Sequence, residues 1–159
     1  EGAKALAEAL KGNQVMQELD IADNQLSWDA NVDTDMSGVI AIADAIPTMG
    51  AMVKLAISDN KLWALGLKHL AEALVDNQTL SELDISSNSA TENANSFGDM
   101  SGVSALANAI PTMRALETIT FGDKQAVTMK VDMTEADFSS KGLGISGAMI
   151  VAAFLPKCQ

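Results

Sequence analysis

Met16-Gln-Glu-Leu-Asp-Ile-Ala-Asp-Asn-Gln-Leu26 is the stretch of sequence that decides the fold. The same pattern of apolar residues and asparagine returns over residues 52–62 and again over residues 80–88. Within the first copy, Leu19 and Ile21 alternate with polar residues, which is the period-two pattern of a strand with one buried face. The stretch therefore predicts a short strand that is repeated along the chain.

A larger repeat encloses these stretches. An offset of 64 residues places residues 2–10 over residues 66–74, and residues 35–39 over residues 99–103. Leucine and alanine recur at helical spacing in residues 2–10 and in their copy, which gives each predicted helix an apolar stripe. Strand and helix alternate, and the strand patterns start at residues 16, 52, 80 and 116. We interpret the chain as an array of strand–helix units.

The spaced leucines and the asparagine resemble the leucine-rich repeat, L-x-x-L-x-L-x-x-N-x-L. The 28-residue spacing from 52 to 80, with Gly66, Leu70 and Leu74 after the strand, resembles the ribonuclease-inhibitor-like subclass. The amino-acid sequence of the first predicted helix also resembles long repeat arrays of unicellular algae and other protists. The resemblance implies an α/β solenoid that is right-handed, with parallel strands on its concave face and helices on its convex face.

The same resemblance gives a role to the repeated asparagine. Asn24, Asn60 and Asn88 match the ladder asparagine of the family, whose buried side chain satisfies backbone groups in the turn that leaves the strand. Lys124 or Gln125 stands at this position in the fifth unit. We therefore expect the ladder to fail there.

We expect one leucine-rich-repeat domain over residues 1–159, with a partial helix in residues 1–15 and repeats that start near 16, 52, 80, 116 and 133. The unit at 116 is irregular, because 133 − 116 = 17 residues are too few for a strand, a helix and both connections. Residues 126–131 have the β-branched alternation of an extended strand. Neither end of the chain shows the polar cap of a solenoid, which is typical of a fragment of a longer array.

This phasing predicts the positions of the elements. We expect helices near residues 3–11, 38–46, 66–75, 102–110 and 146–155. We expect a gap in the row of helices between Ile110 and Ser146, with apolar atoms of Met113 and Met149 exposed unless residues 126–131 fold over it. The predicted strands are centred on Leu19, Leu55, Leu83, Ile119 and Phe138.

Composition excludes several classes of function. Ten basic against 21 acidic residues give a net charge of −11, which disfavours nucleic acid and anionic membranes as partners. The longest apolar run, residues 147–156, has about half of the roughly 20 residues that a membrane span needs. No signal peptide is visible at the start, and an intracellular location is favoured. The sequence predicts a domain without membrane insertion.

Catalytic and cofactor signals are weak. One histidine, His69, and one cysteine, Cys158, cannot assemble a catalytic triad, a metal site of Cys/His type or an internal disulfide. Gly142, Gly144 and Gly147 have G-x-G-x-x-G spacing, but they already fill the strand-to-helix turn of the repeat. We predict that the chain is not an enzyme and has no cofactor.

The loop after the first strand raises the question of calcium. Asp29, Asn31, Asp33 and Asp35 alternate as in the opening of an EF-hand loop, but Thr34 and Ile40 stand where that loop requires Gly and Glu. Asx-rich turns and an acidic helix start explain the same residues without a metal. We therefore predict no metal site and keep these four residues as the calcium candidate.

The strand residues that face away from the core form the expected binding face, and a solvated acidic face without a partner explains them equally well. A basic or polar protein surface is the favoured partner, because carboxylates dominate this face and Asp20 and Asp84 flank Ala56, which leaves room for a basic side chain. Trp28 and Phe97 in the long loops are candidate contacts, although lids over neighbouring loops explain them as well. The predicted partner-binding residues are Glu18, Asp20, Asp23, Lys54, Asp59, Glu82, Asp84, Trp28 and Phe97.

A non-catalytic protein-interaction module or scaffold is the function that these observations favour. The alternatives are an accessory structural subunit of a larger complex, a regulator of a small GTPase and a calcium-responsive module. Some members of the subclass activate GTP hydrolysis, but no residue here matches such a role. The oligomeric state is left open.

Overall fold

The computed structural model describes residues 1–27, 35–93 and 96–159, which contain five α-helices and seven strands. The helices are α1 (Gly2–Leu10), α2 (Ser37–Ala45), α3 (Trp63–Leu74), α4 (Ser101–Ala109) and α5 (Gly144–Phe154). The strands are β1 (Glu18–Asp20), β2 (Lys54–Ala56), β3 (Glu82–Asp84), β4 (Glu92–Asn93), β5 (Ser96–Phe97), β6 (Thr118–Phe121) and β7 (Val127–Lys130). The five predicted helices and the four strands predicted at Leu19, Leu55, Leu83 and Ile119 are confirmed.

Five strands form one sheet in the order β1-β2-β3-β6-β7. The first four strands are parallel, and β7 returns antiparallel to β6. The short strands β4 and β5 pair with each other, apart from this sheet. The chain is thus an α/β protein with a mostly parallel sheet.

The core lies under one face of the sheet. The register aligns one apolar side chain from each strand, and all five are buried: Leu19, Leu55, Leu83, Ile119 and Met129. These residues form one apolar cluster with buried helix residues such as Leu10, Ile42 and Leu70. The helices pack in chain order, each against the next. The apolar residues at two-residue spacing in the strands and those in the apolar stripes of the helices therefore pack into one core.

A chain of side-chain hydrogen bonds joins the turns that follow the strands. The Asn60 Oδ1 atom accepts the backbone N–H groups of Asn24 (2.9 Å) and Leu26 (3.4 Å). The Asn88 Oδ1 atom accepts those of Asn60 (2.9 Å) and Leu62 (3.4 Å) in the same way. Both carboxamides are fully buried and donate to carbonyl groups, whereas Asn24 is exposed.

The expectation that this series fails in the fifth unit is wrong for its accepting half. The Asp123 carboxylate takes the place of the asparagine: Oδ1 accepts the N–H of Asn88 at 3.0 Å and Oδ2 accepts the N–H of Ala90 at 3.2 Å. A carboxylate satisfies the two donors as well as a carboxamide oxygen does, but it has no N–H group to donate. Asp123, one position before Lys124, therefore extends the series by one more residue.

The strand predicted in residues 126–131 is confirmed as β7. Val127 and Met129 are buried, and the alternating Thr128 and Lys130 are exposed. The Thr120 and Thr128 hydroxyl oxygens lie 2.9 Å apart across the pair. The irregular stretch is thus a hairpin arm that extends the sheet.

The strand predicted at Phe138 is wrong. Residues 131–143, which are all described, form no strand, and Phe138 is half-buried. The edge of β6 is already paired with β7, so the apolar pattern at Phe138 cannot pair with β6 as the next unit of the repeat would. At one end of this segment the Val131 N–H donates to the Glu117 carbonyl (3.0 Å), and at the other end residues 141–143 line a cavity together with Asp123.

The predicted gap in the row of helices is wrong as well. Helix α5 packs against α4, and Met113 is fully buried. The Lys157 Nζ atom donates to the Met113 carbonyl at 2.9 Å, which ties the end of the chain to the turn after α4. Helix α5 thus follows α4 directly in the row of helices.

Candidate functional site

The face of the sheet opposite the core, which we call the open face, carries two rows of side chains. The strands alternate, so every second residue points away from the apolar cluster, and the register aligns these residues from strand to strand. The first row is Glu18, Lys54, Glu82, Thr118 and Lys130, and the second row is Asp20, Ala56, Asp84, Thr120 and Thr128.

The first row contains one ion pair. The Lys54 Nζ atom lies 3.5 Å from Glu82 Oε2, and both side chains are about half exposed. Among the described residues, Glu18 lies in no ion pair, although it is the other neighbour of Lys54 in the register. Exposed pairs of this kind contribute only ~0–1 kcal/mol, so Lys54 is available for exchange with a partner's charges.

The second row contains a depression. Ala56 has the smallest side chain of the row and lies between Asp20 and Asp84. The depression has a volume of about 270 Å³ and reaches Lys54, Glu82 and the Thr118 and Thr120 side. A lysine or arginine side chain that enters it would meet a carboxylate on either side of an apolar floor.

Local hydrogen bonds position the two carboxylates. The Asp20 Oδ1 atom accepts the backbone N–H of Ala22 at 3.1 Å. The Asp84 Oδ1 atom accepts the backbone N–H and the hydroxyl of Ser86, at 3.0 and 2.8 Å. These contacts hold one oxygen of each carboxylate at the end of its strand. The Oδ2 atoms accept no hydrogen bond from the part of the chain that the structure describes.

The structure brings five of the predicted binding residues onto the open face: Glu18, Asp20, Lys54, Glu82 and Asp84. Asp23 and Asp59 lie beyond the rows, in the turns that leave β1 and β2, where both have a positive φ and exposed side chains. Thr128 and Lys130 are members of the rows that the sequence analysis missed. The alternation in residues 126–131 indicated a strand there but not its place in this sheet.

The loop candidates are described only in part. Trp28, Asp29, Asn31 and Asp33 lie outside the described residues, as does the side chain of Phe97. The Asp35 Oδ1 atom accepts the Ser37 backbone N–H at 2.8 Å, where α2 begins. Contacts with the Ser37 side chain and N–H hold the pKa of the Asp35 carboxyl below its ordinary value. Asp35 thus has a structural role at a helix start.

Other chemistry finds little support in the described ranges. They contain no group of three or more His, Cys, Asp or Glu side chains that could hold a metal ion. His69 Nδ1 lies 3.9 Å from Glu72 Oε2 on α3, and Cys158 Sγ lies 3.5 Å from the Lys130 carbonyl oxygen. No described helix has the length and apolar character for crossing a membrane.

Comparison with family models and with curated proteins gives no match for this chain.

Proposed function

We propose that the chain is a non-catalytic leucine-rich-repeat module of the ribonuclease-inhibitor-like subclass, and that its open face binds a protein partner. The repeated sequence pattern, the in-register parallel strands and the series formed by Asn60 and Asn88 support this assignment. In the proposed right-handed solenoid, the open face is the concave face and the helices form the convex face. The chain acts as a scaffold in which the sheet fixes the positions of the binding side chains.

The depression at Ala56 is the observation that carries the proposal. Two carboxylates, Asp20 and Asp84, flank it on a hydrogen-bonded sheet, so little conformational entropy is lost when a ligand orders them. The partner is therefore basic or polar, with a lysine or arginine side chain over Ala56. The net charge of −11 steers such a partner toward the molecule.

The size of the open face limits the affinity. Five strands at ~4.8 Å, each with three or four residues of ~3.3 Å, present roughly 300 Å². A standard interface buries ~800 Å² on each partner. The contact on the open face alone is weak, and a tight complex requires the loops or the edges of the sheet in addition.

The test compares two double charge reversals of equal size. Asp20→Lys with Asp84→Lys changes the open face, whereas Asp44→Lys with Asp76→Lys changes exposed residues elsewhere. Proteins from the source cell are captured on the unmodified chain and on both variants, and the association rate of each captured protein is then measured. We expect a basic partner that the open-face variant binds several-fold more slowly at low salt, with a smaller difference near 0.5 M salt.

The control variant should capture this partner as the unmodified chain does. If both variants capture the same proteins at equal rates, the open face is not the binding surface. The proposal is then wrong in its site.

A further inference from the structure

A second cavity, of about 220 Å³, shares no residue with the depression at Ala56. Three segments line it: the turn after β3 with Ile85 and Ala90, the end of β6 and its connection to β7 with Phe121 and Asp123, and helix α5 with Ile150, together with the turn before it. Ile85, Phe121 and Ile150 are almost fully buried, so they give the cavity an apolar floor.

The cavity lies where the series of side-chain hydrogen bonds ends. An offset of 81 residues places Met133 over Met52 and Lys141 over Asn60. The turn before α5 has positive φ angles at Ser140, Gly142 and Gly144, as the turn before α3 has at Asp59, Lys61 and Trp63. Lys141 has no acceptor atom, so it cannot bind the preceding turn as Asn60 does. The turn before α5 therefore lacks the side chain that would join it to the turn at Asp123.

Glycines open the wall of this cavity. Gly142 and Gly144 occupy the positions of Lys61 and Trp63, which adopt the same left-handed conformation with full side chains. The turn itself therefore does not require glycine at either position. A Cβ atom at Gly144 would meet no other atom within 4 Å. The result is a wall of exposed backbone beside the apolar floor.

The charged residues of the lining are two lysines and one carboxylate, Lys124, Lys141 and Asp123. Both oxygens of Asp123 already accept backbone N–H groups, from Asn88 and Ala90. In the described ranges, neither lysine lies within 4.0 Å of a carboxylate oxygen. Two of the ten basic residues of an acidic chain thus line one cavity with an apolar floor.

We propose that this cavity binds a small aromatic carboxylate, with the ring on Phe121 and the carboxylate at Lys124 and Lys141. An apolar cavity of about 150 Å³ holds a benzene ring, so about 220 Å³ above an apolar floor accommodates a ring and a short acid group. A free acid and the C-terminal aromatic residue of a peptide offer the same chemistry. For about ten heavy atoms, the dissociation constant is on the order of 1 mM or below.

The test is a titration of the full chain, labelled with ¹⁵N, followed by the backbone amide resonances of Gly142, Gly144 and Ser146. The probes are phenylacetate, its uncharged amide, acetate and benzylamine. We expect saturable shifts with phenylacetate and at least five-fold weaker binding of the other three. N-acetylphenylalanine is compared with phenylacetate, and tighter binding of the former assigns the site to a peptide terminus.

The variants separate a specific site from general charge. Lys124→Glu with Lys141→Glu should weaken phenylacetate binding at least ten-fold. Lys4→Glu with Lys61→Glu alters the net charge equally at exposed residues outside the cavity and should leave binding within two-fold. Circular dichroism confirms that both variants are folded. Saturable binding of benzylamine in place of phenylacetate, or an equal loss in both variants, would overturn the proposal.

Discussion

Asn24 and Asn60 occupy the same position of the repeated pattern, yet one is exposed and the other has no exposed surface. The Asn60 side chain forms hydrogen bonds with two turns. Its Oδ1 atom accepts N–H groups of the preceding turn, and its Nδ2 atom donates to the carbonyls of Ile21 (2.7 Å) and Ile57 (3.2 Å). Asn24 donates only to the nearby Ala22 carbonyl, at 2.8 Å, within the described residues. The contribution of this residue therefore depends on the neighbouring units.

We expect Asn60→Ala to lower the free energy of unfolding by roughly 2–4 kcal/mol, because it leaves buried N–H and C=O groups without partners. Asn24→Ala is the matched control and should cost less than about 0.5 kcal/mol, because water replaces the exposed side chain. Urea unfolding followed by circular dichroism measures both. Similar losses in the two variants would show that the hydrogen-bond series does not stabilise the fold.

Asp35 gives a prediction for the dependence of stability on pH. Its pKa is lowered in the folded state, so the carboxylate stabilises the fold above the unfolded-state pKa, and this contribution is lost as the pH falls through the folded-state pKa. A ¹³C titration of the carboxyl group should give a midpoint below 3.8. The difference in stability between Asp35→Ala and the unmodified chain should shrink as the pH falls from 7 toward that midpoint. A midpoint at or above 3.8 would contradict the role of Asp35 at the start of α2.

At the scale of elements, strand β7 shows what the sequence could and could not predict. The helices and the four parallel strands follow from apolar spacing, which is a property of each segment alone. The partner of a strand is a property of two segments, so Phe138 fits the strand pattern but finds the edge of β6 already taken. Strand β6 pairs with β7 through a short connection. The leucine-rich-repeat template contains no such hairpin, so it does not predict this pairing.

The same distinction applies to the site. Glu18, Lys54 and Glu82 could be aligned in advance, because parallel repeats fix their register. Thr128 and Lys130 could not, since their place on the open face depends on β7 joining this sheet. The cavity at Phe121 also escaped prediction, because it results from a turn that lacks its usual closing side chain.

The β6–β7 connection depends on Gly122. This residue has φ +105°, and an added Cβ atom would clash with the Gln125 carbonyl oxygen. We expect Gly122→Ala to cost about 3 kcal/mol or more, because backbone strain and a steric clash add. Gly12→Ala is the control, since Gly12 also has a positive φ but faces open space, and it should cost about 1–2 kcal/mol. Thermal unfolding measures both, and equal costs would show that the connection rearranges without strain.

At the scale of the whole molecule, the helices are ordered as a series in which each packs against the next. Helices α2, α3 and α4 each have a described helix on either side, whereas α1 and α5 have one. Helix α5 also contains no charged residue, and Ile145 on it and Leu155 directly after it are at least half exposed. The central units therefore have the larger share of the stabilising contacts.

The hairpin of β6 and β7 has a consequence for the order in which the chain folds. Its paired residues Thr120 and Thr128 are eight positions apart, whereas Leu19 and Leu55 are 36 apart. Each doubling of a loop costs about 0.6 kcal/mol of closure entropy, so the hairpin closes with roughly 1.2 kcal/mol less cost than any parallel pair. We expect it to form early and to act as the nucleus on which the slower parallel strands assemble.

In stopped-flow experiments, Met129→Ala should then mainly slow folding, and Leu19→Ala should mainly speed unfolding. A ribosome completes this hairpin after it has made β1, β2 and β3, so the nascent chain waits for its nucleus until synthesis has passed Lys130.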